Sequence, residues 1–243
     1  MEAVSHVGCV RENNEDMILV DHRFVRDGAY SSLVDVDDGG RCIVALADGM
    51  GGHSSGEVAS SDVLHNLDFF FGDLPNGLTV TDFNEAIFGW LDSINVIIAS
   101  KGHAQPAYRQ MGTTLVALAC YAGEFYWMNC GDSRIYHLCD GQLRQVSTDH
   151  SLNTLTGASE HSNVITNCIG GGCQTSYLDM VNCTASVRPG DTFLLCSDGL
   201  TDMVDDAEIA RLLNSGAGAD ELCQAAIAAG GADNISVCLI RIV

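Results

Sequence analysis

The chain has 243 residues, with 11 Lys and Arg against 32 Asp and Glu, for a formal charge of −21. That length suits a single domain over 1–243, with a core that needs neither disulfides nor structural metal. So acidic a chain, whose only lysine is Lys101, is poorly matched to nucleic acid or an anionic membrane, both of which are bound through Lys and Arg.

In chain order, short β-branched runs bounded by Gly, Asn and Asp predict strands at 17–20 and 42–47. Helical spacing follows. The stretch 55–71 aligns Val58, Val63, Leu64 and Leu67, and 81–100 aligns Phe83, Ile87, Leu91, Ile94 and Ile98, with Thr81 as the expected cap. Strands are predicted again at 113–121, 125–129 and 133–138. The turn signals Gly123-Glu124 and Asp140-Gly141 make hairpins of the neighbouring runs. Further strands fall at 179–187, 192–196 and 234–243, and shorter helices at 205–214 and 219–229, with loops near 27–40, 101–110 and 150–175. Strands in hairpins and helices in pairs indicate an α+β sandwich rather than a doubly wound parallel sheet.

The 11 cysteines are odd in number and scattered, several within apolar runs, as at Cys42, Cys120 and Cys238, and no CxxC pair occurs. With no signal-like segment before the first motif, they read as reduced, mostly buried thiols of a cytoplasmic protein. Apolar stretches fall short of the ~18 residues of a membrane span.

Four aspartates abut these strands. Asp48 ends Ala45-Leu46-Ala47-Asp48-Gly49, and Asp198 ends Leu194-Leu195-Cys196-Ser197-Asp198-Gly199. Asp16 precedes the 17–20 run, and Asp233 precedes the last strand. Asp beside Gly at a strand end is ordinarily a turn. Four of them at core strands whose ends can converge are another matter. Bare carboxylates brought together repel and raise one another's pKa, and divalent cations resolve the conflict. All-oxygen ligands favour hard ions, Mn²⁺ or Mg²⁺. Water shared by two such ions becomes a nucleophile suited to displacement at phosphorus.

Six segments then appear in a fixed order: 8–16 (Gly-Cys-Val-Arg-Glu-Asn-Asn-Glu-Asp), 47–53 (Ala-Asp-Gly-Met-Gly-Gly-His), 111–114 (Met-Gly-Thr-Thr), 131–134 (Gly-Asp-Ser-Arg), 197–200 (Ser-Asp-Gly-Leu) and 233–236 (Asp-Asn-Ile-Ser). Each is weak alone. Together, over nearly the whole chain, they resemble the protein phosphatase 2C (PPM) family of protein serine/threonine phosphatases, in its bacterial form. The resemblance implies a four-layer α-β-β-α sandwich of two antiparallel sheets flanked by helix pairs. It also implies hydrolysis of phosphoserine and phosphothreonine by a water bridging two Mn²⁺ or Mg²⁺ ions.

Carried over by motif, Asp16 resembles the first-motif metal ligand, and Asp48 the carboxylate bridging both ions, with the Gly49 carbonyl on one of them. Asp198 and Asp233 complete the ligand set of the second ion, and Asp132 with Asp198 matches a third-ion site. Arg11 corresponds to the substrate-phosphate arginine, whose planar guanidinium can grip two oxygens at once; its structural alternative is an ion pair with Glu12 or Glu15. Glu15 is either an acceptor for metal-bound water or exposed. Gly112, Thr113 and Thr114 read as structural. His53 is a candidate general acid, displaced from the position directly after Asp-Gly that histidine takes in some relatives, where Met50 stands here; a structural histidine at a helix start is the alternative.

The chain departs from the family at one segment. Many bacterial relatives carry a long flap after Asp-His-Ser-Leu, here 149–152, but only residues 153–162 separate it from the 163–166 strand. A short flap implies an open cleft and a weaker third-ion site. It is similar to that of phosphatases accompanying type VI secretion kinases. The expected partners are phosphorylated proteins, a Ser/Thr protein kinase that the enzyme opposes, and a forkhead-associated-domain protein. A catalytically silent module that binds phosphoproteins is the alternative reading. A sensor-linked domain acting on anti-sigma partners would carry an extra N-terminal module, for which a chain starting at the first motif leaves no room.

Overall fold

Met17-Ile18-Leu19-Val20 is buried at every position. A strand that hides both faces must lie in a sheet covered on both sides. The computed structural model, which describes residues 1–36, 40–51, 55–157, 164–173 and 175–243, shows how this is achieved. In chain order the elements are β1 (Glu2–His6), β2 (Met17–Val20), β3 (Arg23–Val25), β4 (Gly28–Ser31), β5 (Arg41–Ala47), β6 (Gly49–Met50), α1 (Ser55–Gly72) and α2 (Val80–Ala104). There follow β7 (Gly112–Thr113), β8 (Leu115–Tyr121), β9 (Glu124–Cys130), β10 (Arg134–Cys139), β11 (Gln142–Gln145), α3 (Leu152–Thr156), β12 (Ile169–Gly170) and β13 (Asp179–Asn182). The chain closes with β14 (Thr192–Cys196), α4 (Asp198–Thr201), α5 (Asp206–Asn214), α6 (Ala219–Ala228) and β15 (Ile235–Arg241).

One six-stranded sheet runs β11-β10-β14-β15-β1-β4 and a second β13-β9-β8-β5-β2-β3, both antiparallel. Ile18, Val20, Leu46, Val116, Ile135, Phe193 and Leu195 interdigitate between them. The alternate residues Leu19, Ala45 and Ala117 pack outward against Leu64, Leu67, Ile87 and Ile94 of α1 and α2. Leu194, Val237 and Leu239 meet Ile209, Leu222 and Ala226 of α5 and α6. The result is the expected four-layer α-β-β-α sandwich. Each fully buried Leu, Ile or Phe contributes about 1.5–3 kcal/mol of transfer free energy.

Several boundaries differ from the sequence reading for physical reasons. The 113–121 run splits at Thr114, so Gly112–Thr113 joins a small sheet β12-β7-β6 that borders the candidate site. The first hairpin turns on Ala122 (φ 51°) and Gly123 (φ 79°), one residue earlier than expected, because Tyr121 pairs with Glu124. Asp140 and Gly141 form the second turn as anticipated. The 179–187 run ends at Asn182, since Cys183 leaves the extended region (ψ 7°) and a 3₁₀ turn follows. Helix α2 is capped by Thr79, which accepts from the Asp82 amide, not by Thr81. Six of the cysteines are buried. Among the described residues no helix is long and apolar enough to cross a membrane.

Candidate metal centre

The strand ends carrying the aspartates gather at one end of the sandwich. Asp48 follows β5, Asp16 precedes the adjacent β2, Asp132 lies between β9 and β10, Asp198 follows β14 and Asp233 precedes β15. A cleft of about 460 Å³ opens there, lined by Arg11, Glu15, Asp48, Gly49, Asp198 and Asp233 among others.

The carboxyls at this end of the sandwich are held above their ordinary pKa. Burial pushes the Asp16 carboxyl up to about 6, although hydroxyls of Ser197 and Ser236 favour its ionised form. Burial, then the charge of Asp16 and the other aspartates, holds Asp48 well above the usual carboxylate range. Asp132 is pushed up to about 6 and Asp198 to about 8, in each case chiefly by burial. One oxygen each of Asp16 and Asp132 is buried with no hydrogen-bond partner, and such orphaned acceptors cost free energy unless something outside the protein meets them. Among the described residues, no three of these carboxylates bring oxygens within 4.8 Å of one another. An ion with ligands at about 2.1 Å spans at most about 4.2 Å between them, so the cluster is spread beyond one ion's reach. Hard, all-oxygen donors at this spread fit more than one Mn²⁺ or Mg²⁺.

Arg11 stands at the cleft wall, half exposed, and donates to Asp233 Oδ2 at 2.6 Å. Its partner is therefore neither Glu12 nor Glu15. Glu15 also lines the cleft, and burial raises its carboxyl above the usual range. Gly49 has no room for a side chain: a Cβ there would sit 2.2 Å from the Gly56 carbonyl and 2.5 Å from that of Glu15. The position is glycine because the backbone passes this close. His53 lies outside the described residues, as do residues 158–163 of the short flap.

Three motif residues take positioning partners that the sequence reading did not identify. Asn234 accepts from the Glu15 amide (2.8 Å) and donates to the Val7 (2.9 Å) and Asn13 (3.0 Å) carbonyls. It thereby ties the first-motif loop to the last strand. Thr114 Oγ1 accepts from the Asp48 amide (3.0 Å), and its own amide donates to the Asp48 carbonyl (2.9 Å). The same hydroxyl lies 2.7 Å from Ser133 Oγ, beside Asp132. Arg134 grips Asp149 through two nitrogens at 2.7–3.1 Å, and beyond it Leu152 and Val164 are joined amide to carbonyl across the two ends of the flap segment. Thr114 and Arg134 were visible as motif members, but their partners lie across strands the sequence does not pair.

The family model for protein phosphatase 2C matches residues 25–218. Serine/threonine protein phosphatase PstP of Mycobacterium tuberculosis is 32% identical over 251 residues, covering 99% of this chain and 44% of the relative, so the chain spans under half of that protein's length. PppA, a key regulatory component of the type VI secretion system in Pseudomonas aeruginosa, superposes with a TM-score of 0.81 at 29% identity, covering 100% of this chain and 97% of that one. The catalytic domain of PstP in complex with two manganese ions gives a TM-score of 0.74 at 32% identity, covering 98% and 96%. The chain belongs to the protein phosphatase 2C family.

Proposed function

We propose that this chain is a metal-dependent protein serine/threonine phosphatase acting on phosphorylated proteins. The observation that carries the reading is that Asp48, Asp198 and Asp233 line one cleft, with Asp16 and Asp132 near enough to raise the Asp48 carboxyl and each leaving one buried oxygen unpartnered. Asp16, Asp48, the Gly49 carbonyl, Asp198 and Asp233 would hold two ions, and Asp132 with Asp198 a third. When bound, such ions acidify water and stabilise the charge of a displacement at phosphorus. Similarity to a two-manganese phosphatase domain supports that ion type.

The chain's own residues do the rest. The Asp198 carboxyl, pushed up to about 8, holds a proton at neutral pH, so metal binding there would displace that proton and be favoured by rising pH. Arg11, now paired with Asp233, would present its planar fork to the substrate phosphate if Asp233 served as a metal ligand instead. Asn234 and Thr114 keep Glu15, Asp16 and Asp48 in register. Asp48 is thus a catalytic-centre residue and Arg11 a substrate-binding one, while His53 remains the candidate proton donor.

The proposal extends to a cytoplasmic role opposing a Ser/Thr kinase, with a forkhead-associated-domain phosphoprotein among the substrates; likeness to a regulatory component of type VI secretion supports only the regulatory part of that reading. Hydrolysis of a chromogenic aryl phosphate should require Mn²⁺ and collapse in Asp198→Asn. Equal rates in both proteins, or none in either with metal present, would favour a silent phosphoprotein-binding module.

A further inference from the structure

A second cluster of ligating side chains lies at the other end of the same two strands. His137 and Cys139, two residues apart on β10, project to one face, and Asp191 stands just before the neighbouring β14. Their ligand atoms all fall within 4.8 Å of one another, and among the described residues no other three His, Cys, Asp or Glu do so. His137 Nε2 is 2.9 Å from Asp191 Oδ2. Asp191 is buried and His137 nearly so.

We propose that His137, Cys139 and Asp191 form a Zn²⁺ site, with three protein ligands and an open position toward solvent. The donors decide the ion. A thiolate with an imidazole and a carboxylate suits a borderline-soft ion that tolerates four-coordinate geometry, and it is a poor match for Mn²⁺ or Mg²⁺. The charges also balance, since one thiolate and one carboxylate neutralise one Zn²⁺.

The surroundings hold the ligands in place. The His137 ring stacks on Phe193 at 4.4 Å and 2°. Asp191 Oδ2 accepts from the Arg188 amide at 2.9 Å, while the Asp191 carbonyl accepts from the Ile242 amide at 2.9 Å. A cavity of about 610 Å³ between the edges of the two sheets is lined by His137 and Cys139 together with Trp127, Asp140 and Arg144. It gives a metal an entry path and leaves room for water or a small ligand at the fourth position. Hydrogen bonding to Asp191, then burial and the charges of Asp140 and Asp191, holds the Cys139 thiol above its ordinary pKa. The site therefore carries a proton at neutral pH. Binding forms a Zn–S bond and releases the Cys139 proton to the buffer.

The site is about 20 Å along the strands from Asp132 and Asp198, counting about 3.3 Å per strand residue. It stands independently of the phosphatase reading.

The test uses Co²⁺ as a coloured stand-in for Zn²⁺, added to the full chain already loaded with Mn²⁺. One Co²⁺ per chain should give a thiolate-to-cobalt charge-transfer band and an intense tetrahedral visible band, both bleached by Zn²⁺. Cys139→Ser should lose the charge-transfer band. His137→Gln should weaken Zn²⁺ binding by more than the roughly 10–100-fold that follows loss of an outer partner. Circular dichroism matching the wild type establishes that each variant is folded; should Cys139→Ser not fold, His137→Gln carries the test alone. Absence of the bands in wild type, or unchanged Zn²⁺ affinity in a folded variant, would overturn the proposal.

Discussion

Strands β10 and β14 carry ionisable groups at both ends, and the two ends are furnished differently. At one, Asp132 and Asp198 belong to a cluster of carboxylates with no sulfur or nitrogen donor among the proposed ligands. At the other, the ligating atoms are one nitrogen, one sulfur and one oxygen. Spread also differs: the His–Cys–Asp ligand atoms lie within 4.8 Å of one another, whereas among the described residues the aspartates do not bring three oxygens that close. The contrast teaches that donor type and spacing together set the ion. Several hard ions suit the first end and one borderline ion the second, although the same two strands position both.

The sharpest way to break the comparison is at Asp48. Asp48→Asn should lower Mn²⁺-dependent kcat/KM by at least about a thousandfold, on the order of 4 kcal/mol of transition-state stabilisation. Rates within tenfold of wild type would remove Asp48 from the centre. Next in size is Thr114→Val, which keeps the volume but strips the hydroxyl that receives the Asp48 amide and meets Ser133. Loss of such an outer partner costs roughly 10–100-fold in metal affinity or activity. A Mn²⁺ titration of the rate should show this as a shift to higher half-saturating metal; an unmoved curve would make Thr114 a packing residue only.

Stability against pH is a third test. Asp16, Asp48, Asp132 and Asp198 all have folded-state pKa values above the ordinary carboxylate value. The metal-free native state therefore binds more protons than the unfolded chain, and its stability falls as pH rises from about 4 through about 8. Thermal melts in chelator should show a lower Tm at pH 8 than at pH 6. Mn²⁺ at a hundredfold excess over Kd should add about 2.7 kcal/mol per site, which raises Tm by about 5–11 °C in a chain of this size. A chelated protein that grows steadily more stable from pH 6 to 8 would contradict the raised carboxyls. The smallest expected effect is at the far end, where His137→Gln should change Mn²⁺-dependent kcat/KM by less than about twofold, because sites this far apart act independently. A large loss there would mean that the two ends are coupled.

Much of this was legible in the chain. Period-two and period-3.6 patterning located most strands and the four longer helices, because each buries one face or both against a neighbouring layer. The aspartates could be read from their place at strand ends, with glycine directly after Asp48 and Asp198. What could not be read were polar or very short strands: β11 is Gln-Leu-Arg-Gln, with no apolar run to announce it, and it forms through its hairpin with β10. Side-chain partners distant in sequence were equally hidden. The ion pair of Arg11 with Asp233 joins residues 222 apart, and the reach of Asn234 to Val7 and Asn13 depends on two segments meeting only after the sheet closes. His137, Cys139 and Asp191 went unremarked for the same reason, since their proximity comes from the β10–β14 register.

The central claim is that the cleft lined by Asp48, Asp198 and Asp233 is a cation-dependent phosphomonoester hydrolase centre. Phosphate release from a phosphothreonine peptide, measured with Mn²⁺ and with chelator for wild type and Asp48→Asn side by side, tests it most directly. The account predicts release by wild type with Mn²⁺ alone, and near-background rates in the other three conditions. Release that persists in chelator, or that is equal in Asp48→Asn and wild type, would contradict it.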